Sequence, residues 1–328
     1  MQTRVFYCHL YTKDMMDSSQ TNPEPKTARI APVARQRRII HRYIDRESEL
    51  TAYDDDLRNR TVNAVALDME GDQGTVRYAY SISIFQCFDG TESVIIDVLK
   101  MGNNPALRRF LTDPAITKIM FSCANDIFMA QNVLGCTITP VRDIAVGQEL
   151  LNLPINISDY LNIDKKQKDR FQRANWLKRP IRPELLDYAI NDVADLFTIE
   201  HEIVTRLRAA NLFARYLKES ALLTEKNYVI DHLQHYNAKF PGYKKLGPAQ
   251  RRAAAAVWVF REMIGRHFDC PVGYILSKKA MAACIRNPEN TASSLEQELN
   301  RGRSLKKRVK KDFVEKYYQE AYRISGSS

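Results

Sequence analysis

Close cysteine pairs and long apolar runs are both absent from this sequence. Its cysteines are few and widely separated: Cys8, Cys87, Cys123, Cys136, Cys270 and Cys284. Without a Cys-x-x-Cys pair, a structural zinc site is not expected. Cysteines inside apolar runs, such as Cys87, are typical of buried reduced thiols, and they predict a cytoplasmic protein in a reducing compartment. Because no stretch of about 18 apolar residues exists, we expect no membrane span and no membrane partner.

The charge of the chain points toward acidic partners. Basic residues outnumber acidic ones, 49 to 39, and the formal net charge is +10. Such a charge attracts polyanions and releases their counterions, which favours a nucleic-acid partner. A basic surface that only aids solubility is the alternative. The 328 residues, of which 45% are hydrophobic, are enough for two domains with cores of their own.

The first half of the chain reads as an extension followed by alternating strands and helices. Residues 1–37 show no sustained period, which predicts a poorly ordered N-terminal extension. The elements predicted after it are a strand and helix start in 38–48, a three-strand meander in 61–70, 76–88 and 93–99, a helix near 105–111, a strand in 118–123, a helix from near Asn125 and a strand–helix unit in 136–153. This order predicts an α/β fold, with a mixed sheet flanked by helices.

The second half is predicted to be helical. Pro183 suits a first helical turn, and apolar residues continue at helical spacing as far as Leu207, so we expect one long helix there. Residues 239–248 carry Pro and Gly and are typical of an interdomain connection. The segments beyond them have helical composition, which predicts a small all-α helical bundle at the end of the chain.

Two carboxylates, Asp68 and Glu70, end the apolar strand predicted in 61–70. Residues i and i+2 of a strand share a face, so both side chains would point the same way. Two acids held together repel each other and lose hydration, and a hard cation such as Mg²⁺ or Mn²⁺ corrects both effects with oxygen ligands. The alternative is that both residues simply leave the strand for a loop.

Two further segments of the chain offer candidate site residues. Tyr188 and Asp192 are four residues apart on the predicted helix and share one of its faces. A half-buried tyrosine near an exposed acid is the alternative for that pair. Asp126 lies where a strand ends and a helix begins, a place where Asp and Asn favour the N-cap. Asn125 could equally serve as that cap and leave Asp126 available for a site.

Jointly these residues resemble one family. The residues that match the DEDDy pattern of 3′→5′ exonucleases are Asp68, Glu70, Asp126, Tyr188 and Asp192. The segment QRANWLKRPIRPELLDYAINDVADL (172–196) resembles ribonuclease D, and VRDIAVGQELL (141–151) resembles a further family segment that carries an aspartate, here Asp143. The resemblance covers about residues 38–210 and implies a ribonuclease H-like mixed sheet.

The end of the chain resembles an HRDC domain, the helical domain named after helicases and ribonuclease D. The resembling segment is 243–288, with an Arg-rich first helix and a turn at Pro271 and Gly273. The predicted division of the chain is an N-terminal extension (1–37), a DEDDy exonuclease domain (38–210), a helical linker (211–242), an HRDC-like nucleic-acid-binding domain (243–320) and a tail (321–328).

The resemblance implies a metal-dependent 3′→5′ exoribonuclease that releases 5′-monophosphates and uses two divalent ions, Mg²⁺ or Mn²⁺. It implies that Asp68, Glu70 and Asp192 hold one ion. Asp68 and Asp126 would hold the other, and Tyr188 would orient the attacking water. It further implies an RNA partner, with single-stranded 3′ ends of structured RNA such as tRNA precursors as substrates. We also expect the protein to be a monomer. An enzyme of the same chemistry acting on DNA, and a non-catalytic RNA-binding adaptor, are the alternatives.

A basic segment precedes Tyr188 and is predicted to guide RNA toward it. The predicted nucleic-acid contacts are Lys165, Lys166, Lys168, Arg170, Arg173, Lys178, Arg179, Arg251 and Arg252. Phe171 and Trp176 lie among them and could stack on a base. For Trp176 we prefer packing against the sheet.

Overall fold

Strands and helices alternate in the first half of the chain, as predicted, and the first strand begins at Arg42. The computed structural model describes residues 39–155, 165–233, 239–301 and 309–326, all within the unit Pro32–Ser328. The extension predicted for 1–37 lies outside these residues.

One mixed sheet forms the centre of the first part of the chain. Its strands are β1 (Arg42–Ile44), β2 (Ala64–Asp72), β3 (Ser81–Phe88), β4 (Ser93–Asp97), β5 (Thr117–Met120) and β6 (Val141–Asp143). The order across the sheet is β1-β4-β3-β2-β5-β6. Neighbours β2, β3 and β4 run antiparallel, while β1 pairs with β4, β2 with β5, and β5 with β6 in parallel. The predicted mixed sheet and its three-strand meander are confirmed.

Several predicted strand boundaries are wrong: the strand predicted in 61–70 is Ala64–Asp72, and the strand predicted in 118–123 is Thr117–Met120. The middle strand of the meander begins at Ser81 and not at residue 76. The Asp72 carboxylate accepts hydrogen bonds from the backbone N–H groups of Thr75 (2.9 Å), Val76 (3.0 Å) and Arg77 (3.2 Å). Because these amides are turned toward a side chain, they do not join the strand ladder, and residues 73–80 form a loop.

The β2–β3 pair is irregular next to one of the predicted site residues. Its register shifts between Glu70 and Gly71, where Glu70 lies opposite Ile84 and Gly71 opposite Ile82. A Cβ atom on Gly71 would lie 2.3 Å from the carbonyl oxygen of Ser81. Only glycine permits this close approach of the two strands, so the bulge that ends the regular part of β2 depends on it.

Helices surround the sheet. They are α1 (Glu47–Asn59), α2 (Val98–Met101), α3 (Pro105–Thr112), α4 (Ala124–Met129) with a π-helical turn (Ala130–Leu134), α5 (Ile144–Leu150), α6 (Lys165–Gln172), α7 (Pro183–Ala194), α8 (Leu196–Ala209) and α9 (Phe213–Glu225).

The single long helix predicted from Pro183 is wrong, because it is two helices that meet at Asp195. Helix α7 packs across β2, β3 and β4, whereas α8 packs against α5 and β5. The apolar spacing runs through the junction because both helices bury one face. That spacing cannot reveal a change of direction at one residue.

The last part of the chain is helical, as predicted. Its elements are a 3₁₀ turn (Tyr243–Lys245), α10 (Pro248–His267), α11 (Val272–Ile275), α12 (Lys278–Cys284), a 3₁₀ turn (Pro288–Asn290), α13 (Thr291–Arg301) and α14 (Lys311–Gly326). Helix α10 packs along α14. Because Val314, Tyr318 and Ala321 are buried at helical spacing, α14 continues through the residues predicted as a tail from 321. No helix among the described residues is long and apolar enough to cross a membrane.

Candidate active site

Asp68 and Glu70 lie on β2, an inner strand of the sheet. Both side chains emerge on one face, because they are two residues apart in regular strand geometry. Both residues are half-buried. The predicted departure into a loop does not occur, since β2 continues to Asp72.

Gln86 is a site residue that the sequence reasoning missed. It lies opposite Asp68 on β3, is completely buried, and donates a hydrogen bond from its Nε2 to Oδ2 of Asp68 at 3.0 Å. The available signal was an amide inside the apolar run ISIFQCF. A buried amide needs a partner, but only the register of β2 and β3 identifies Asp68 as that partner.

Asp126 projects from the short helix α4, which follows β5, and it is buried. The N-cap position of α4 is Cys123, which makes no side-chain cap hydrogen bond. Both capping interpretations are therefore wrong. The Asn125 side chain instead accepts a hydrogen bond from Nε2 of Gln73, in the β2–β3 loop, at 2.8 Å.

Asp143 fixes the turn that leads into α4. Its carboxylate accepts hydrogen bonds from the backbone N–H groups of Ser122 (2.7 Å), Cys123 (3.0 Å) and Ala145 (2.9 Å). Ser122 has a φ of 57°, a left-handed conformation that is costly for a residue with a side chain. The bonds to Asp143 offset this cost, so Asp143 supports the turn that presents Asp126.

Helix α7 contributes Tyr188 and Asp192, one turn apart, above β2 and β3. The Tyr188 hydroxyl is hydrogen-bonded to Asp192. Its ring is packed against Phe171 and Trp176, with ring centroids 5.0 Å and 6.4 Å away. Phe171 and Trp176 are themselves buried, so Trp176 packs as preferred above and neither ring is available for stacking on a base.

The four carboxylates act on one another electrostatically. Desolvation, followed by the charge of Asp192, raises the pKa of Asp68 to about 7. Desolvation and the charges of Asp68, Asp192 and Asp126 raise the pKa of Glu70 well above its ordinary value. Desolvation and the charge of Asp68 do the same to the pKa of Asp126. Lys168 on α6 opposes these effects by lowering the pKa of Asp68 and Glu70. The structure therefore brings the predicted carboxylates together from β2, α4 and α7.

The donor set suits a hard divalent cation. Asp68, Glu70 and Asp126 offer carboxylate oxygens, and desolvation and like charge raise the pKa of each of them, so a cation would stabilise their ionised forms. In the part of the chain that the structure describes, no three acidic, histidine or cysteine side chains form a closed metal-binding group.

We expect metal affinity to rise with pH. The pKa of Asp68 is about 7 in the folded chain, compared with about 3.9 in an unfolded one. The folded protein therefore keeps a proton that a cation must displace. The Mn²⁺ dissociation constant should fall about fivefold or more between pH 6 and pH 7 and level off once the site is ionised. Because the pKa of Asp68 is higher in the folded chain than in the unfolded one, the folded state binds more protons between the two values. The metal-free protein should therefore lose stability as pH rises from about 4 to about 7.

Isothermal titration calorimetry in two buffers of different ionisation enthalpy measures both the affinity and the protons released. Asp187→Asn is the control, because Asp187 is exposed on α7 next to Tyr188. A dissociation constant that does not change between pH 6 and pH 8 would show that Asp68 is not a ligand.

The predicted basic residues separate into different environments. Lys166 and Arg170 are exposed on α6, close in sequence to the Phe171 ring that supports Tyr188. Lys168 acts on Asp68 and Glu70, as described above. For Lys165 the structure describes the helical backbone and not the side chain. The remaining exposed positions are Arg173, Lys178, Arg251 and Arg252.

Arg179 differs from the others. Its guanidinium donates to both oxygens of Asp97, at 2.8 Å and 2.6 Å, and to the carbonyl oxygen of Trp176 at 2.8 Å. Asp97 is completely buried. These bonds join the segment before α7 to the end of β4, which favours a structural role for Arg179 over the predicted RNA contact.

Comparison with known proteins agrees with this geometry. A family model described as a 3′-5′ exonuclease matches residues 41–208. The match spans more than half of the chain and contains all five residues of the predicted DEDDy pattern. The chain belongs to this 3′-5′ exonuclease family.

Within that family, ribonuclease D and RRP6 are similar to this chain. Ribonuclease D of Xanthomonas oryzae pv. oryzae is 26% identical over 267 residues, which cover 79% of this chain and 71% of that protein. Escherichia coli RNase D is an exoribonuclease involved in structured RNA processing. Its crystal structure has a TM-score of 0.69 at 20% identity and covers 87% of this chain and 75% of that one. The catalytic core of RRP6 from Trypanosoma brucei also has a TM-score of 0.69, at 20% identity, and covers 93% and 84%. These structures share the fold, including the helical part after the sheet.

Proposed function

We propose that this protein is a metal-dependent 3′→5′ exoribonuclease of the ribonuclease D type. Its substrates would be the single-stranded 3′ ends of structured RNAs such as tRNA precursors, and its products 5′-monophosphates. The observation that carries the proposal is the convergence of Asp68, Glu70, Asp126 and Asp192, with the Tyr188 hydroxyl held beside Asp192. The similarity to ribonuclease D supports RNA as the substrate.

The carboxylates would hold two divalent ions, Mg²⁺ or Mn²⁺. Asp68, Glu70 and Asp192 would bind one of them, and Asp68 together with Asp126 the other. When bound, such ions activate a water and relieve charge on the phosphate and leaving oxygen. Gln86 orients the Asp68 carboxylate through its hydrogen bond at 3.0 Å, so that an oxygen of Asp68 faces the site in a defined direction.

Tyr188 positions the reacting groups and does not act as a base. Desolvation and the charges of Asp192 and Glu70 raise the pKa of Tyr188 above its ordinary value of about 10. The phenol therefore keeps its proton at neutral pH and can donate a hydrogen bond. The packing of Phe171 and Trp176 against its ring holds that donor in one direction.

The basic surface supplies affinity for RNA. Lys166 and Arg170 are exposed on α6, whose Phe171 packs on Tyr188, so phosphates near the site would meet positive charge. Arg251 and Arg252 are exposed near the start of α10. We assign the helical part the role of an HRDC-like nucleic-acid-binding domain on this basis. The protein would act as a monomer. The described cysteines are free thiols, which supports a reducing, cytoplasmic location.

Substrate and direction can be tested with end-modified oligonucleotides. With Mg²⁺ or Mn²⁺, a 5′-labelled single-stranded RNA should shorten from its 3′ end one nucleotide at a time. A circular RNA of the same sequence should stay intact, because it has no 3′ end. Cleavage of the circle would contradict an exonuclease, and faster cleavage of the matched DNA strand would assign the activity to DNA.

A further inference from the structure

Helix α4 carries Asp126 but has few means of holding its own position. It has six residues and no side-chain cap at its N-terminus. Isolated helices this short are unstable in water, so tertiary contacts must set the position of α4. At its N-terminal end these contacts are the turn bound by Asp143 and the bond between Asn125 and Gln73.

The C-terminal end of α4 runs into the π-helical turn, and there two amides bind a distant segment of the chain. Gln131 donates to the carbonyl oxygen of Lys226 at 3.0 Å and accepts from the N–H of Tyr228 at 2.7 Å. Asn132 donates to the carbonyl oxygen of Tyr228 at 3.1 Å and accepts from the N–H of Ile230 at 3.1 Å. We call residues 226–230 the connecting segment and the two side chains the amide clamp.

The connecting segment also leads directly to a contact with the helical part of the chain. Just beyond the segment, the carbonyl oxygen of His232 accepts a hydrogen bond from Nε1 of Trp258 on α10 at 2.6 Å. The segment thus links α10 to the C-terminal end of α4.

We propose that the amide clamp positions Asp126 for catalysis, so that Gln131 and Asn132 are positioning residues of the active site. The connecting segment is then a structural part of the nuclease and not a loose tether to the helical domain. The two adjacent side chains make four hydrogen bonds with the backbone of the connecting segment. Asn132 also donates to the carbonyl oxygen of Phe128 on α4 at 2.8 Å, so the clamp ties the segment to the end of α4. Asp126 lies little more than one helical turn before the clamp residues. This inference rests on the proposed function.

The test compares two substitutions that remove the same kind of bond. Gln131→Ala removes one donated and one accepted hydrogen bond to a backbone. Asn300→Ala is the matched control, because Asn300 donates to the carbonyl oxygen of Val309 at 3.2 Å and accepts from its N–H at 3.0 Å, wholly within the helical part. Thermal melting of both variants measures the loss of stability that any such deletion causes.

For each variant we would measure kcat and KM on a short single-stranded RNA, and Mn²⁺ affinity by calorimetry without RNA. Gln131→Ala should lower kcat or Mn²⁺ affinity about tenfold with little change in KM, and adding Asn132→Ala should extend the loss toward a hundredfold. Asn300→Ala should leave both at wild-type values.

The following results would contradict the positioning role or the proposed function. Equal effects of Gln131→Ala and Asn300→Ala, or wild-type kcat and Mn²⁺ affinity in the doubly substituted protein, would overturn the positioning role. If the wild-type protein does not cleave RNA, the proposed function fails, while the Mn²⁺ affinities still decide whether the clamp positions the carboxylate site.

Discussion

Replacing Asp68 with asparagine is expected to lower the turnover of RNA cleavage by roughly a thousandfold or more. Asp68 is the carboxylate assigned to both cations, and Asp68→Asn removes its charge while nearly keeping its shape. The hydrogen bond from Gln86 Nε2 can persist to the asparagine oxygen, so folding should be preserved. Affinity for RNA should stay within about twofold, because exposed Lys and Arg side chains supply most of it.

Asp187→Asn is the matched control for this experiment. It makes the same chemical change at an exposed carboxylate on α7, one residue before Tyr188. Turnover on a short RNA and binding of the same RNA by fluorescence anisotropy would be measured for both variants. Turnover of Asp68→Asn within tenfold of the wild type would remove Asp68 from the metal site, and a parallel loss in Asp187→Asn would show a general charge effect.

Tyr188→Phe is expected to lower kcat by roughly ten- to a thousandfold, the range for one orienting or proton-handling group. The ring keeps its contacts with Phe171 and Trp176, so the melting temperature should barely change. The lost group is a hydroxyl hydrogen-bonded to Asp192. KM should move much less than kcat, because that hydroxyl acts mainly in the transition state.

Tyr216→Phe provides the comparison for the loss of a buried hydroxyl. Tyr216 is completely buried on α9, and its hydroxyl has no hydrogen-bond partner among the described residues. Single-turnover kinetics should show wild-type chemistry for Tyr216→Phe. Wild-type chemistry in Tyr188→Phe as well would make Tyr188 a packing residue. Because the raised pKa keeps the phenol protonated, the wild-type rate should show no loss from tyrosine ionisation up to about pH 9.

Local spacing is enough to predict much of the site and the fold. The i,i+2 pair Asp68 and Glu70 and the i,i+4 pair Tyr188 and Asp192 share faces because strand and helix geometry requires it. Alternating apolar residues predict the strands of the meander, because successive residues of a strand point to opposite faces of the sheet. A resemblance of joint motifs, and not spacing, adds Asp126 to this set.

Features that depend on register or on distant partners are beyond such reasoning. Gln86 becomes a site residue only through its pairing with Asp68 across the sheet. Asn125 lies inside α4 and is not its cap, and its side chain accepts a hydrogen bond from Gln73, in a loop 52 positions away. In the sequence Arg179 does not differ from the other residues of its basic segment. Only the structure shows that its guanidinium donates hydrogen bonds to the buried Asp97. The amide clamp joins residues more than 90 positions apart.

Chelation tests the central claim most directly. Wild-type protein and a 5′-labelled RNA would be incubated with Mg²⁺ or Mn²⁺, with excess EDTA, and with EDTA followed by excess metal. Because the assigned ligands are carboxylate oxygens, EDTA should abolish shortening of the RNA and added metal should restore it. In Asp68→Asn the same additions should restore nothing. Sustained shortening of the RNA in excess EDTA would contradict the assignment of Asp68, Glu70, Asp126 and Asp192 as a metal-dependent exonuclease site.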